Sequence, residues 1–283
     1  MPSLRELGNE QFKAGNYKEA EALYTQAIQH DSSDPRLLSN RAMTRLKLQD
    51  WPGAESDSQE AVERIGPDNN KSMKSYYNLA QALIGLKRPA EALEMGKKSY
   101  QMALETRDRS TEIMSQFILQ AKKEIWQEKE TRRLRELDST LRLVEEMLDE
   151  RKENSLRELQ SQFDQGLVGQ VGKDEEAAAI KEEHKMRTEQ VRAAFADTSK
   201  PETQERVVPE YLIDSMTFEI MHDPVITPSG ASYERASLLK YLKDHPHDPL
   251  TRDPLTESQI IPNRALRECC EAFLDQNGWA VEY

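Results

Sequence analysis

The sequence predicts a mainly α protein in three parts: an N-terminal array of paired helices, a highly charged antiparallel helical hairpin, and a small C-terminal α+β module. Three observations predict it. Small and aromatic residues recur at a 34-residue step near the N-terminus, and apolar residues alternate three- and four-residue steps in the middle. The last part reads as loop, β-hairpin, helix, loop, helix. The composition of the 283 residues, 37% hydrophobic and 32% charged with 11 Gly and 13 Pro, suits a soluble helical chain with little low-complexity sequence.

The charge is uneven. Of the net −12, residues 201–283 carry −8, with 7 Lys and Arg against 15 Asp and Glu. Nucleic acids and anionic membranes need a basic face, so neither is an expected partner. No stretch approaches the roughly 20 apolar residues of a membrane span, and "MPSLRELGNEQF" lacks the apolar core of a secretory signal. The expected compartment is the cytosol, extending to the nucleus. The two cysteines, Cys269 and Cys270, are adjacent in an apparent helix and point to different faces, unlike the CxxC pairs of zinc sites. His245 and His247 in "DHPHDP" have no third ligand nearby and read as a solvated loop. No metal and no cofactor are expected.

In the first part, "LGNEQFKAGNYKEAEALYTQAI" places Gly8, Tyr17, Ala20, Tyr24 and Ala27. A step of 34 lands on Ala42, Trp51, Ala54, Ser58 and Ala61, and a step of 38 on Ala80, Pro89 and Ala92. Each unit reads as two amphipathic helices, with small residues where they must approach and Tyr17 or Trp51 filling the space between them. The third unit is weaker, with Gly96 and Ser99 where bulk and Ala are usual, and four extra residues near "IGPDNNK" lengthen its lead-in. A seventh helix around "IMSQFILQAKKEIW" should cap the apolar end. Such an array curves, and the first helix of each unit lines the concave side. Arg5, Asn9, Asn40, Lys74 and Asn78 would project there, and two cations with three amides suit an extended peptide ending in carboxylates.

The period and residue types resemble the tetratricopeptide repeat, which extends over residues 1–105. The polar set resembles the two-carboxylate clamp of tetratricopeptide co-chaperones. The resemblance implies binding of the C-terminal Glu-Glu-Val-Asp of the seventy- and ninety-kilodalton heat-shock chaperones. Arg5, Asn9, Asn40 and Lys74 would grip the terminal Asp, while Phe12, Met43 and Tyr77 would line an apolar pocket beside it. Arg5 stands where Lys is usual, and Asn78 where many relatives carry a cation.

Residues 106–200 hold the capping helix and the hairpin. Leu134, Leu137, Leu141, Val144 and Leu148 form a coiled-coil seam, which resumes after a skip at Leu156, Leu159 and Phe163. The skip implies a local change of winding or a bend. Gly166, Gly169 and Gly172 break the helix, and a second one from about Asp174 offers Ile180, Val191 and Phe195. A hairpin with one narrow apolar stripe on each helix leaves little surface for chemistry. It is expected to space the end domains and to supply a homodimerisation stripe, with His184 packed at the seam. "ADTSKPETQERVVP" reads as the linker, with the last boundary near residue 201.

In the last part, 201–283, two short apolar runs flank the turn 228–230 in "PVITPSGASYE", the pattern of a β-hairpin. A helix follows near "ERASLLKYLKDH", then a Pro-rich loop, then a helix from Asn263 to Asn277. That order is the layout of a RING finger without its metal ligands. Asp223, Ser229, Glu234, Arg252, Asp253 and Asn263 sit where polar bonds would pin the two loops to the helix. Met216 and Phe218 in the first loop and Pro249 in the second are apolar groups that are either buried or form a docking patch. The residues resemble the U-box, a RING-like fold held by polar networks instead of zinc. The resemblance implies that Met216, Phe218 and Pro249 receive a ubiquitin-conjugating enzyme and that Arg252 touches its thioester-linked ubiquitin.

The three parts in this order resemble the co-chaperone ubiquitin ligases that join tetratricopeptide repeats to a U-box. The implied activity is ubiquitin transfer to misfolded clients held by a bound chaperone, by positioning and without a covalent intermediate on this chain. No Cys lies in a basic, base-flanked setting to act as a thioester nucleophile. The alternative is a non-catalytic chaperone adaptor, and Met216, Phe218, Pro249 and Arg252 discriminate between the two.

Overall fold

The computed structural model describes residues 2–199 and 207–282. By contact they fall into two compact units, Met1–Gln127 with Val208–Tyr283, and Glu128–Val207.

The first unit begins with three consecutive helix pairs: α1 (Leu4–Lys13) with α2 (Tyr17–His30), α3 (Pro35–Lys47) with α4 (Trp51–Ile65), and α5 (Met73–Gly85) with α6 (Pro89–Thr106). Local chemistry sets the helix starts. Ser3 and Glu6 form a capping box on α1, while Asp34 and Asp50 accept backbone hydrogen bonds at α3 and α4, each followed by a proline in the first turn. The recurring alanines, Ala20, Ala42, Ala54, Ala61, Ala80 and Ala92, are all fully buried where helices cross. The lengthened lead-in to the third pair includes a short helical turn, Asn70–Ser72, tied back by Ser72 Oγ to the Gly66 carbonyl at 2.7 Å. Gly96 and Ser99 have packing reasons. A Cβ at Gly96 would lie 3.0 Å from the Phe117 ring, and Ser99 Oγ donates to the Met73 carbonyl at 2.9 Å.

α7 (Thr111–Asp164) closes the array with buried Met114, Phe117, Ile118 and Ala121. The expected capping helix and the first arm of the hairpin are one helix of 54 residues, so the skip after Leu148 does not end it. In the second unit the turn after α7 contains Gly166 in the left-handed region (φ 72°), and α8 runs Gln170–Ser199. Gly172, expected in the break, is therefore inside α8. The hairpin is joined by Arg192 Nε to Glu145 Oε1 at 2.6 Å, by His184 Nε2 to Asp149 Oδ1 at 3.1 Å, and by Lys173 over the Phe163 ring at 4.4 Å. Of the predicted seam, Leu159 is buried, Leu134 is exposed, and the rest are half-buried. The first four residues of the expected linker extend α8; residues 200–206, and with them the expected boundary at 201, lie outside the described residues.

The C-terminal part returns to the first unit. β1 (Pro224–Ile226) pairs antiparallel with β2 (Ser232–Glu234) around the predicted turn, followed by α9 (Arg235–Asp244). β3 (Ile261–Pro262) adds on the other side of β1, giving the order β2-β1-β3, and α10 (Arg264–Gln276) starts on its Asn263 cap. Two apolar clusters hold it. Val225, Tyr233, Leu238, Leu242 and Leu255 form one; Val208, Leu212, Ile220, Met221, Cys270 and Leu274 form the other, together with Leu119 of α7. The small module thus completes its core on the repeat array. Trp126 of α7 donates from Nε1 to the Gln276 carbonyl at 3.1 Å, and its Cβ lies 2.4 Å from where a Cβ on Gly278 would stand.

That contact tolerates no side chain. Gly278→Ala should lower the unfolding free energy by about 1–3 kcal/mol, read from urea titration followed by circular dichroism.

Candidate functional site

The concave side of the array is a groove of about 950 Å³ between α3, α5 and the first turns of α7. Asn40, Met43, Lys74, Tyr77 and Asn78 line it as predicted. The amides are pre-set. Asn9 Oδ1 accepts from the Tyr24 hydroxyl at 2.7 Å and from Asn40 Nδ2 at 3.2 Å, which turns its own amide N–H group toward other acceptors. Asn78 is buried, and its Nδ2 donates to the Ser39 carbonyl at 3.0 Å, committing one of its two amide hydrogens to the scaffold.

Three predicted residues are not among the groove lining. Arg5 lies at α1 with its Nη1 3.7 Å from Asp34 Oδ2, Asn9 reaches the groove only through Asn40, and Phe12 packs edge-to-face on Tyr17 at 5.4 Å. Lys47, Gln81 and Lys87, with Ile113 and Phe117 of α7, complete the lining instead. Gln81 stands one 38-residue step from Met43, and Lys87 one such step from Gln49, so the repeat period could have pointed to both; Ile113 and Phe117 lie on α7, outside the repeats. No acidic side chain is among the described residues lining the groove, whereas Lys47, Lys74 and Lys87 all are. In a chain of net charge −12 this is a local reversal that favours an anionic ligand.

The second surface is on the C-terminal module. Its first loop closes on Asp214, whose backbone N–H donates to the Glu219 carbonyl at 2.9 Å and whose carbonyl accepts from Phe218 N at 2.8 Å. The buried Asp214 carboxylate accepts from Thr217 Oγ1 at 3.0 Å and Thr217 N at 3.2 Å. Burial pushes its pKa up, against the lowering effect of these bonds. Phe218 is left 73% exposed and in the left-handed region, at φ 61°.

The second loop wraps around Asp248. Its carboxylate accepts from Ser229 Oγ (2.8 Å), Thr227 Oγ1 (2.9 Å), Tyr233 OH (3.0 Å), Leu250 N (2.8 Å) and Thr251 N (3.3 Å). Burial opposes its ionisation, but the bonds from Ser229, Leu250, Thr227 and Thr251 outweigh this and hold its pKa at about 2. Tyr241 OH and His247 Nε2 lie 2.8 Å apart and brace the start of the loop. Pro249 is half-buried, and Leu250 beside it is 74% exposed. Met216 packs half-buried against the cluster that also holds Leu255, so both loops close over one core.

Four of the six expected pinning residues bond across elements. Asp223 pairs with Arg235 (Nε–Oδ2 2.8 Å) and Arg267, Ser229 with Asp248, Glu234 with the His222 and Asp223 amides (2.8 and 2.9 Å), and Asn263 with Ser232 (3.1 Å). Arg252 and Asp253 are corrections: both side chains are exposed and only their backbones join the loop. The Arg252 side chain makes no hydrogen bond or ion pair among the described residues, and its φ of 63° sends the chain back over Asp248. Asp214, Tyr233, Asp248 and Leu250 went unpredicted, though Leu250 follows Pro249 directly. No group of three or more His, Cys, Asp or Glu is placed to hold a metal among the described residues.

Known proteins fit this architecture. Residues 208–279 match the U-box domain family, and residues 2–34 and 34–105 match tetratricopeptide repeats. Over 287 aligned residues the chain is 30% identical to the E3 ubiquitin-protein ligase CHIP of Arabidopsis thaliana, covering 99% of this chain and 95% of that one. The chain belongs to the CHIP family of E3 ubiquitin-protein ligases. Its U-box is also 41% identical over 68 residues to ubiquitin conjugation factor E4 of Schizosaccharomyces pombe, covering 24% of this chain and 7% of that one. The repeats are 30% identical to the TPR2B domain of yeast Sti1 in its pHsp70 complex, covering 42% of this chain and 92% of that one, with a TM-score of 0.39.

In this CHIP-family ligase the Asp248 network makes two outcomes testable. Asp248→Asn should lower U-box stability by about 3 kcal/mol, since charged hydrogen bonds are lost inside the loop, whereas EDTA should leave the unfolding midpoint of the wild type unchanged. The depressed pKa means that the carboxylate's contribution is complete above 3.8 and fades as pH falls from there through about 2, visible in the Leu250 and Thr251 amide shifts.

Proposed function

We propose that this ubiquitin ligase is a co-chaperone. Its groove takes the C-terminal Glu-Glu-Val-Asp of seventy- and ninety-kilodalton heat-shock chaperones, and its U-box presents a ubiquitin-charged conjugating enzyme to the misfolded client that the chaperone carries. The observation that carries this reading is the groove's charge: three lysines, three asparagines and no acidic side chain among its described lining and the adjoining Asn9, in a strongly acidic protein. A peptide with three side-chain acids and a terminal carboxylate supplies what the lysines need. Met43, Tyr77 and Phe117 offer apolar surface for its valine. The Sti1 domain with similar sequence was determined as a pHsp70 complex.

On the U-box side, Phe218 and Leu250 are the apolar tips that a conjugating enzyme would cover, flanked by Met216 and Pro249. Arg252, whose exposed side chain makes no hydrogen bond or ion pair among the described residues, would donate to the thioester-linked ubiquitin. The chemistry is positioning. The enzyme's thioester supplies the acyl group, the client lysine attacks it, and the ligase restricts the pair to a reactive arrangement. The hairpin leaves Leu143 and Met147 of α7 and Met186 of α8 more than half exposed, a stripe suited to a second copy of the chain, and we assign homodimerisation there. Cytosol and nucleus are the proposed compartments, where such chaperones and clients meet.

Two measurements test the halves separately. In a reconstituted reaction with a panel of conjugating enzymes, Phe218→Ala should cut ubiquitin-chain yield at least tenfold, the loss expected when a docking anchor is truncated. Unchanged yield would place docking elsewhere, and no chains with any enzyme would favour the adaptor. Lys74→Ala should weaken binding of a peptide ending in Glu-Glu-Val-Asp about tenfold or more by calorimetric titration, consistent with loss of a charged hydrogen bond. Equal affinity would remove the clamp.

A further inference from the structure

The U-box first loop rests on the repeat array. Two hydrogen bonds cross from helices of the array to carboxylates of the U-box, both buried. Tyr100 OH of α6 donates to Asp223 Oδ2 at 3.1 Å, and Ser115 Oγ of α7 donates to Glu234 Oε1 at 3.0 Å. All four residues are buried.

From Ser115 a continuous path leads to Phe218. Glu234 Oε2 accepts from the His222 and Asp223 amides, while the Glu234 backbone N–H donates to Asp214 Oδ1 at 3.3 Å. Asp214 in turn holds Thr217 through its carboxylate and Phe218 through its carbonyl. A cavity of about 20 Å³ lies directly between the two parts, lined by Ser115 and Leu119 of α7 on one side and by Thr217, Ile220 and Glu234 on the other. The inner side of the loop therefore faces α7 while its outer side exposes Phe218.

We propose that Ser115 and Tyr100, which belong to the repeat half of the chain, are positioning residues for the conjugating-enzyme loop of the U-box. The proposal rests on the ligase reading above. A buried carboxylate stays ionised only while enough donors face it, and burial already pushes the pKa of Glu234 up. Ser115 supplies the donor to Oε1, the oxygen that the two U-box amides do not reach. Without it Glu234 must turn toward solvent or take up a proton, and the strand end that holds Asp214 loses its reference point. The loop then samples more conformations before the enzyme docks, and binding must pay for ordering it. The repeat array thus acts on ubiquitin transfer without touching either the enzyme or ubiquitin.

The test uses the full-length protein and the conjugating enzyme that gives the fastest wild-type discharge of ubiquitin onto free lysine. Discharge is measured against the concentration of charged enzyme. Ser115→Ala and Tyr100→Phe should each raise the half-saturating concentration three- to tenfold while leaving the maximal rate within twofold, the effect of one hydrogen bond on binding. Ser115→Thr, which keeps the hydroxyl, should restore the wild-type value, and all variants should bind the Glu-Glu-Val-Asp peptide as the wild type does. Trp126→Phe removes another hydrogen bond of the same interface, away from the loop, and should leave half-saturation unchanged. Unchanged half-saturation in Ser115→Ala and Tyr100→Phe overturns the proposal, as does an equal rise in Trp126→Phe. If Ser115→Ala does not fold, Tyr100→Phe decides alone by the same criterion. A wild type that discharges no enzyme of the panel sinks the ligase reading and this proposal with it; a discharging wild type with unaltered variants sinks only the proposal.

Discussion

Three of the buried carboxylates, Asp214, Glu234 and Asp248, organise the loops of the U-box, and the exposed tips of those loops depend on them. A module of about 75 residues buries too little apolar surface to hold two irregular loops by packing alone. Each carboxylate is penalised by burial and stabilised by donors drawn from different segments: the first loop for Asp214, α7 and the residues just before β1 for Glu234, the hairpin turn and second loop for Asp248. A single side chain with several convergent donors does what a metal does elsewhere, fixing distances among chain segments that share no regular secondary structure. Because the loops are fixed from inside, Phe218 and Leu250 need not be buried to hold their shape.

α7 links the two halves of the first unit. On one side its Ile113 and Phe117 form a wall of the groove; on another, Ser115, Leu119 and Trp126 meet the U-box. The 3.6-residue period allows both, since residues two apart in sequence emerge on different sides of a helix. The groove is assembled from residues of four helices, and none of them is acidic among those described, although acidic residues are abundant elsewhere in the array.

Much of this was readable from the residues. The recurrence of Ala20, Ala54 and Ala92 reports helix crossings because only small side chains fit there, and the Pro-Ser-Gly turn between alternating runs reports β1 and β2 because turn chemistry is local. Asn263 was legible as a cap for the same reason. Residues whose roles depend on contacts far apart in sequence were not. Ser115 and Glu234 are 119 positions apart, and nothing in "EIMSQF" distinguishes a hydroxyl that faces a buried carboxylate from one that faces water. Asp248 looked like one more polar loop residue because its donors come from 227–233 as well as from its own loop. Gly172 was misread as a helix breaker, since a single glycine costs only about 1 kcal/mol in a helix that packing otherwise supports. Arg252 and Asp253 were assigned to the network because charge suggests pairing; in the fold they are held by their backbones, and their side chains are left outward.

Phe218 and Arg252 both occupy the left-handed region, where a residue with a Cβ costs about 1–2 kcal/mol relative to glycine. Glycine at either position would relax the backbone while deleting the group that the site presents. A search for more heat-resistant versions of this protein, scored on folding alone, would therefore be drawn to these two positions and, with Phe218 and Arg252 in the roles proposed above, would return molecules that are sturdier and inert. Resistance to heat and competence in ubiquitin transfer must be selected together, because here the sequence holds two backbone conformations that folding by itself would discard.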